Sequence, residues 1–153
     1  MKKVTSILLI LLLAFSSFPI QNFHASAQTT QQPNVTVKLV NYLGNVNELT
    51  INFTGNYVLN NNIQIENGKT YRLRNEGGSL VLMEGTIRIH TFNEFSFVPS
   101  MYNEEHRIRI NNRPYLGTIR FVAEGSFVRP INTIPVEDYL KGVVPSEMPA
   151  SWN

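Results

Sequence analysis

The sequence predicts a mainly β fold: an antiparallel β-rich domain with one short helix near the C-terminus. Three observations lead there. Short runs of alternating or β-branched apolar residues follow one another from Val35 onward. Asn and Gly clusters divide these runs at spacings of roughly eight to twelve residues. No long helical periodicity interrupts them before Pro135.

The strand runs come in order. Val35–Val40 places Val35, Val37 and Leu39 on one face, and Leu49–Phe53 alternates in the same way. Tyr57–Leu59, Ile63–Ile65, Thr70–Arg74, Leu80–Met83, Thr86–Ile89 and Arg107–Ile110 follow. Tyr115–Ala123 reads as one longer strand and Phe127–Arg129 as another. The separators Gly55-Asn56, Asn60-Asn61-Asn62, Asn67-Gly68, Gly77-Gly78 and Asn111-Asn112 are turn chemistry, because Asn and Gly tolerate positive φ. A polar patch at Met101–Glu105 marks a boundary between a β-rich region, residues 28–105, and a C-terminal part, residues 106–153. The helix is expected to start at Pro135, where a missing N–H is harmless. Glu137 and Asp138 fall in its first turn, Lys141 in its last, and Gly142 caps it after about two turns. Val136, Tyr139, Leu140 and Val143 form its apolar stripe.

Residues 1–27 read as a secretory signal. Lys2 and Lys3 precede the apolar run Val4–Phe18, and Ala25-Ser26-Ala27 offers a small-x-small cleavage site. The alternative is a retained anchor, although the run falls short of the roughly 20 apolar residues a spanning helix needs. Either way the remainder is expected to be extracytoplasmic: secreted or in the cell wall. Without Lys2 and Lys3 the formal charge falls from +2 to zero, and no Lys/Arg run tracks a phosphate backbone, which argues against a nucleic-acid partner. Cysteine is absent, so no disulfide framework supports an exported fold.

The chemistry concentrates near the end. Glu147 stands between Pro145 and Pro149, beside Met148 and close to Trp152. A carboxyl with apolar, stiff neighbours has its protonated form favoured if the fold buries it, and so can donate a proton to a glycosidic oxygen. The competing reading is a solvated turn that ends the helix. Glu137 and Asp138 are explained by the helix dipole. His90 and His106 lack metal-ligand spacing, and Glu104-Glu105-His106 reads as a solvated loop, so neither metal nor cofactor is expected. Ser146 has no evident histidine partner, and Gly77-Gly78-Ser79 is a hairpin turn rather than a phosphate loop. Trp152, Tyr139 and Phe127 could stack on sugar faces or pack in a core.

The runs Tyr115–Phe121 and Ile131–Trp152, with Pro145-Ser146-Glu147-Met148-Pro149 inside the second, resemble the opening of the SpoIID/LytB domain. That family includes stage II sporulation protein D and amidase-enhancer proteins of bacterial walls. The resemblance implies a protein acting on peptidoglycan glycan strands, with lytic transglycosylase activity in its complete form. It maps the catalytic acid onto Glu147, with Ser146 and Trp152 as substrate-binding neighbours. Because a longer helix and most of an α+β catalytic domain follow the tryptophan in the family, the chain is expected to be cut short and inactive by itself. The rival expectation is a non-enzymatic module that docks on peptidoglycan and stimulates a cell-wall amidase. A plain structural envelope domain is the third.

Overall fold

Alternating burial along the strands closes two sheets over a shared core. A computed structural model describes residues 32–147, with side chains through residue 143. The proposed signal segment, residues 1–27, and Trp152 lie outside the described residues. The strands are β1 (Asn34–Lys38), β2 (Glu48–Thr54), β3 (Tyr57–Leu59), β4 (Ile63–Ile65), β5 (Thr70–Glu76), β6 (Ser79–Glu84), β7 (Ile87–Phe92), β8 (Glu94–Pro99), β9 (Arg107–Ile110), β10 (Arg113–Tyr115), β11 (Thr118–Glu124) and β12 (Phe127–Pro135). One helix, α1 (Val136–Glu147), follows β12 directly.

One sheet has the order β1-β12-β11-β8-β3-β4 and the other β10-β9-β2-β5-β6-β7. Every pairing is antiparallel. The predicted mainly β, antiparallel class is therefore what the chain adopts. Both sheets take strands from each side of residue 105, so the polar stretch Met101–Glu105 is a connection inside the sandwich and not a boundary between sheets.

The core is formed by the inward residues of both sheets. Leu49, Ile51 and Phe53 of β2, Leu73 of β5, Leu80 and Leu82 of β6 and Ile108 and Ile110 of β9 meet Tyr57, Leu59, Phe95, Phe97, Ile119 and Phe121 from the opposite sheet. The Phe53 ring sits 5.1 Å from both Tyr57 and Phe97. Phe97 in turn packs edge-on against Phe121 at 5.8 Å. Aromatic pairs at such distances add a little beyond the area they bury.

Three local readings of the sequence need correction. Strand β8 was absent from them, although Phe95 and Phe97 alternate with Glu94 and Ser96 and are fully buried. Tyr115–Ala123 is two strands in different sheets, because Gly117 breaks the run with a φ of 84°. A Cβ there would lie 2.4 Å from the Thr133 carbonyl oxygen, so the close approach to β12 requires glycine. Last, Pro135 ends β12, and the helix runs through Gly142 to Glu147 over 12 residues. Gly142 is thus a mid-helix residue, and Lys141 pairs with Asp138 one turn back at 2.8 Å. The turn chemistry reads as expected: Asn111 and Asn112 take φ of 46° and 70° and join β9 to β10.

Two buried polar side chains tie the sandwich together. The Asn75 amide donates to the carbonyls of Phe127 (2.9 Å) and Gly125 (3.1 Å), and its Oδ1 accepts from the Gly78 N–H at 2.9 Å. It joins the β5–β6 turn of one sheet to the β11–β12 turn of the other. Arg129, 5% exposed, donates to the Gly44 carbonyl at 2.9 Å, to Asn45 Oδ1 and to Glu124 at 3.2 Å. Its guanidinium also lies 5.2 Å above the Phe127 ring. A buried cation needs such partners, since an unpaired one would be costly.

Candidate functional site

The β12 register fixes where the helix begins. Thr133 and Ile134 of β12 pair with Thr36 and Val35 of β1, and the Val136 N–H donates to the Pro33 carbonyl at 2.9 Å. Asn132, 6% exposed, donates to the carbonyls of Leu116 (2.8 Å) and Thr118 (3.2 Å). The segment between β10 and β11 is thereby held against β12. The result is a cleft of about 300 Å³ between β1, the β9–β10 hairpin and α1. Val37, Leu39 and Ile134 give it apolar walls, Tyr115 and Tyr139 aromatic ones, and Arg107, Arg113, Asn132 and Asp138 its polar groups.

The charges in this cleft are unequally engaged. Asp138 accepts from Lys141 Nζ at 2.8 Å and from the Tyr102 hydroxyl at 2.6 Å. The Lys141 hydrogen bond, then that of Tyr102, hold its carboxyl below the usual range, so Asp138 is an anion at neutral pH and a poor proton donor. Burial, reinforced by Asp138, pushes the Tyr102 hydroxyl up, which keeps it a neutral donor. Burial likewise raises the Tyr115 hydroxyl. Arg107 is taken up locally: its Nε donates to the Glu104 carbonyl at 2.9 Å. Arg113 instead lies 4.8 Å over the Tyr42 ring, and among the described residues no carboxylate pairs with it.

The residues picked out by sequence fall as follows. Ser146 and Glu147 are the last two residues of α1, beyond the last described side chain. Tyr139 reaches the cleft, whereas Phe127 packs beneath Arg129. The apolar stripe expected on α1 is incompletely covered, for Leu140 is 48% exposed. His106 is no loose loop residue. Its Nδ1 lies 2.6 Å from Asn103 Oδ1, and its ring occupies the space above Gly55, where a Cβ would come within 2.6 Å. No group of three or more acids and histidines that could hold a metal occurs among the described residues. None of their helices is long and apolar enough to cross a membrane. Sequence reasoning missed Arg113 and Asn132 as cleft residues, since only the fold brings β1, β10 and α1 together.

The family model described as Stage II sporulation protein, SpoIID, matches residues 124–153. The amidase enhancer of Bacillus subtilis (strain 168) is 35% identical over 92 residues, which is 58% of this chain and 12% of that protein. The chain therefore matches only a small part of its relative's length. The 92 aligned residues outnumber the segment 124–153, so that similarity includes residues outside it. No solved structure matches the chain. The segment that contains strand β12, helix α1 and the Pro145–Pro149 motif is thus where this chain is similar to the SpoIID family, and the similarity to an amidase enhancer points the same way.

Proposed function

We propose that this chain is an exported cell-wall protein that binds peptidoglycan and promotes the action of a cell-wall amidase. The observation that carries the reading is the likeness to an amidase enhancer, 35% identical over 58% of the chain, beside the SpoIID match of residues 124–153. The cleft agrees with a binding role. It combines apolar and aromatic walls with a few polar groups, as ligand sites do. Its one carboxylate, Asp138, is held ionised by Lys141 and Tyr102 and is unsuited to proton donation. The charged n-region, apolar run and cleavage site of residues 1–27 support export. The test is sedimentation of the purified protein with isolated sacculi, together with the rate at which an amidase releases stem peptides. Wall binding with a faster amidase supports the reading. A protein that stays in the supernatant and leaves the rate unchanged refutes it.

A second reading is lytic transglycosylation by the complete domain, favoured because the family match spans Glu147 within Pro145-Ser146-Glu147-Met148-Pro149. Glu147 would protonate the leaving glycosidic oxygen as the bond to the anomeric carbon breaks. The carboxylate would then take the proton of the sugar's own 6-hydroxyl as that oxygen bonds to the same carbon. No water is consumed and one acid suffices, unlike ordinary glycoside hydrolysis. Ser146 and Trp152 would sit beside the substrate. Release of 1,6-anhydro ends by the protein, lost in Glu147→Gln, supports this reading. Equal release by both removes Glu147 from the chemistry.

A further inference from the structure

We infer that Ser100, His106 and Asn103, in the connection between β8 and β9, act as nucleophile, base and orienting group in the cleavage of small acyl esters. The inference is independent of the wall-binding reading.

The hydrogen bonds fix the state of the imidazole. Asn103 Oδ1 accepts from the backbone N–H groups of Glu105 at 3.1 Å and His106 at 3.2 Å. Two such donors identify that atom as the amide oxygen, which cannot itself donate. His106 Nδ1 lies 2.6 Å from the same oxygen, so Nδ1 carries the ring proton and the neutral ring keeps its lone pair on Nε2. Nε2 faces Ser100 Oγ at 3.4 Å. A serine hydroxyl beside the lone pair of an imidazole, whose other nitrogen donates to a fixed oxygen, is the arrangement that activates serine for acyl transfer. The contact is long, as catalytic hydrogen bonds often are before a substrate arrives.

The trio is held in place. The Ser100 N–H donates to the Asn56 carbonyl at 2.9 Å, which anchors the backbone under the hydroxyl. The imidazole lies over Gly55, where a Cβ would come within 2.6 Å of it, and its centroid is 6.5 Å from that of Tyr57. A staple for the loop would need only the Nδ1 contact; it gives no reason for Nε2 to face a hydroxyl. Ser100 itself is exposed, and Met101 and Tyr102 beside it are exposed apolar surface. So open a setting suits a short acyl group on a large carrier, since a long acyl chain needs an enclosed channel.

In the reaction, Ser100 Oγ bonds to the ester carbonyl carbon and its proton passes to His106 Nε2. The bond from that carbon to the alcohol oxygen breaks, and the alcohol leaves with the proton from Nε2. Water then attacks the acyl-serine, giving its proton to Nε2. The carboxylic acid departs as Ser100 Oγ takes the proton back. Asn103 accepts from Nδ1–H throughout, which makes it a positioning residue.

The experiment is turnover of p-nitrophenyl acetate and p-nitrophenyl octanoate by the purified chain, with the modified residue mapped by mass spectrometry of the peptides. The acetate is expected to give a burst of nitrophenol, an acetyl group on Ser100 and faster turnover than the octanoate. Ser100→Ala should abolish burst and label, and His106→Gln should slow the burst by about a hundredfold or more, the usual worth of a general base. Circular dichroism checks that both variants are folded. Ser100→Ala leaves the packing of His106 untouched, so it decides the matter even where His106→Gln fails to fold. No burst, a label on another residue, or a burst that survives Ser100→Ala overturns the inference. Turnover of the octanoate as fast as the acetate overturns the assignment to small acyl groups.

Discussion

Asn75 offers the sharpest test of how the sandwich holds its two sheets. Its side-chain amide is 8% exposed and makes three hydrogen bonds, donating to Phe127 and Gly125 and accepting from Gly78. Replacement by Ala removes all three and leaves two carbonyls and one N–H to find water at the sandwich edge. At about 1 kcal/mol each, the loss comes to about 3 kcal/mol. For a unit of this size that lowers the melting temperature by about 12 °C. Asn75→Asp should cost at least as much, for it keeps the acceptor but turns a carboxylate toward two carbonyl oxygens. Urea unfolding followed by tryptophan-independent far-UV circular dichroism measures both, and the slope with denaturant should not change. A loss below about 1 kcal/mol in either variant would refute the view that this one amide ties the two hairpin turns together.

Other substitutions probe the remaining contacts. Gly117→Ala should destabilise by about 3 kcal/mol, since it combines a left-handed φ with a Cβ 2.4 Å from the Thr133 carbonyl oxygen; chemical denaturation within 1 kcal/mol of wild type would contradict this. Tyr57→Phe should be neutral or stabilise by about 1 kcal/mol, because the fully buried Tyr57 hydroxyl has no hydrogen-bond partner among the described residues; a clear loss of thermal stability would show that it has one. Asp138 has a depressed folded pKa, so its contribution to stability is present above the ordinary carboxylate pKa and is lost as pH falls through the folded value. Carboxyl-carbon NMR should show Tyr102→Phe moving that midpoint up toward the ordinary value, and an unmoved midpoint would deny the Tyr102 contact.

What could be read from the sequence was local. Period-two alternation and Asn/Gly turns located most strands, because those signals lie within a few residues of one another. Two strand runs were nevertheless misread. The Tyr115–Ala123 alternation is real, but the sterics at Gly117 depend on Thr133 of a neighbouring strand. The run Glu94–Pro99 follows β7 after a single residue, without the Gly or Asn cluster that separated the others. Gly142 looked like a helix stop because glycine usually is one, while its position in the cleft is set by strands β1 and β10, far away in sequence. The same holds for Arg113, whose stacking on Tyr42 spans a sequence separation no local pattern reports. The family segment, by contrast, is a contiguous string, and it was legible at once.

Most direct of all is the amidase rate on purified sacculi, measured with no added protein, with wild type and with Glu147→Gln. Stimulation by both proteins to the same degree, with no new 1,6-anhydro ends, is the result expected of a wall-bound enhancer. Stimulation that vanishes in Glu147→Gln together with anhydro-end formation would contradict it and make bond cleavage at Glu147 the source of the effect.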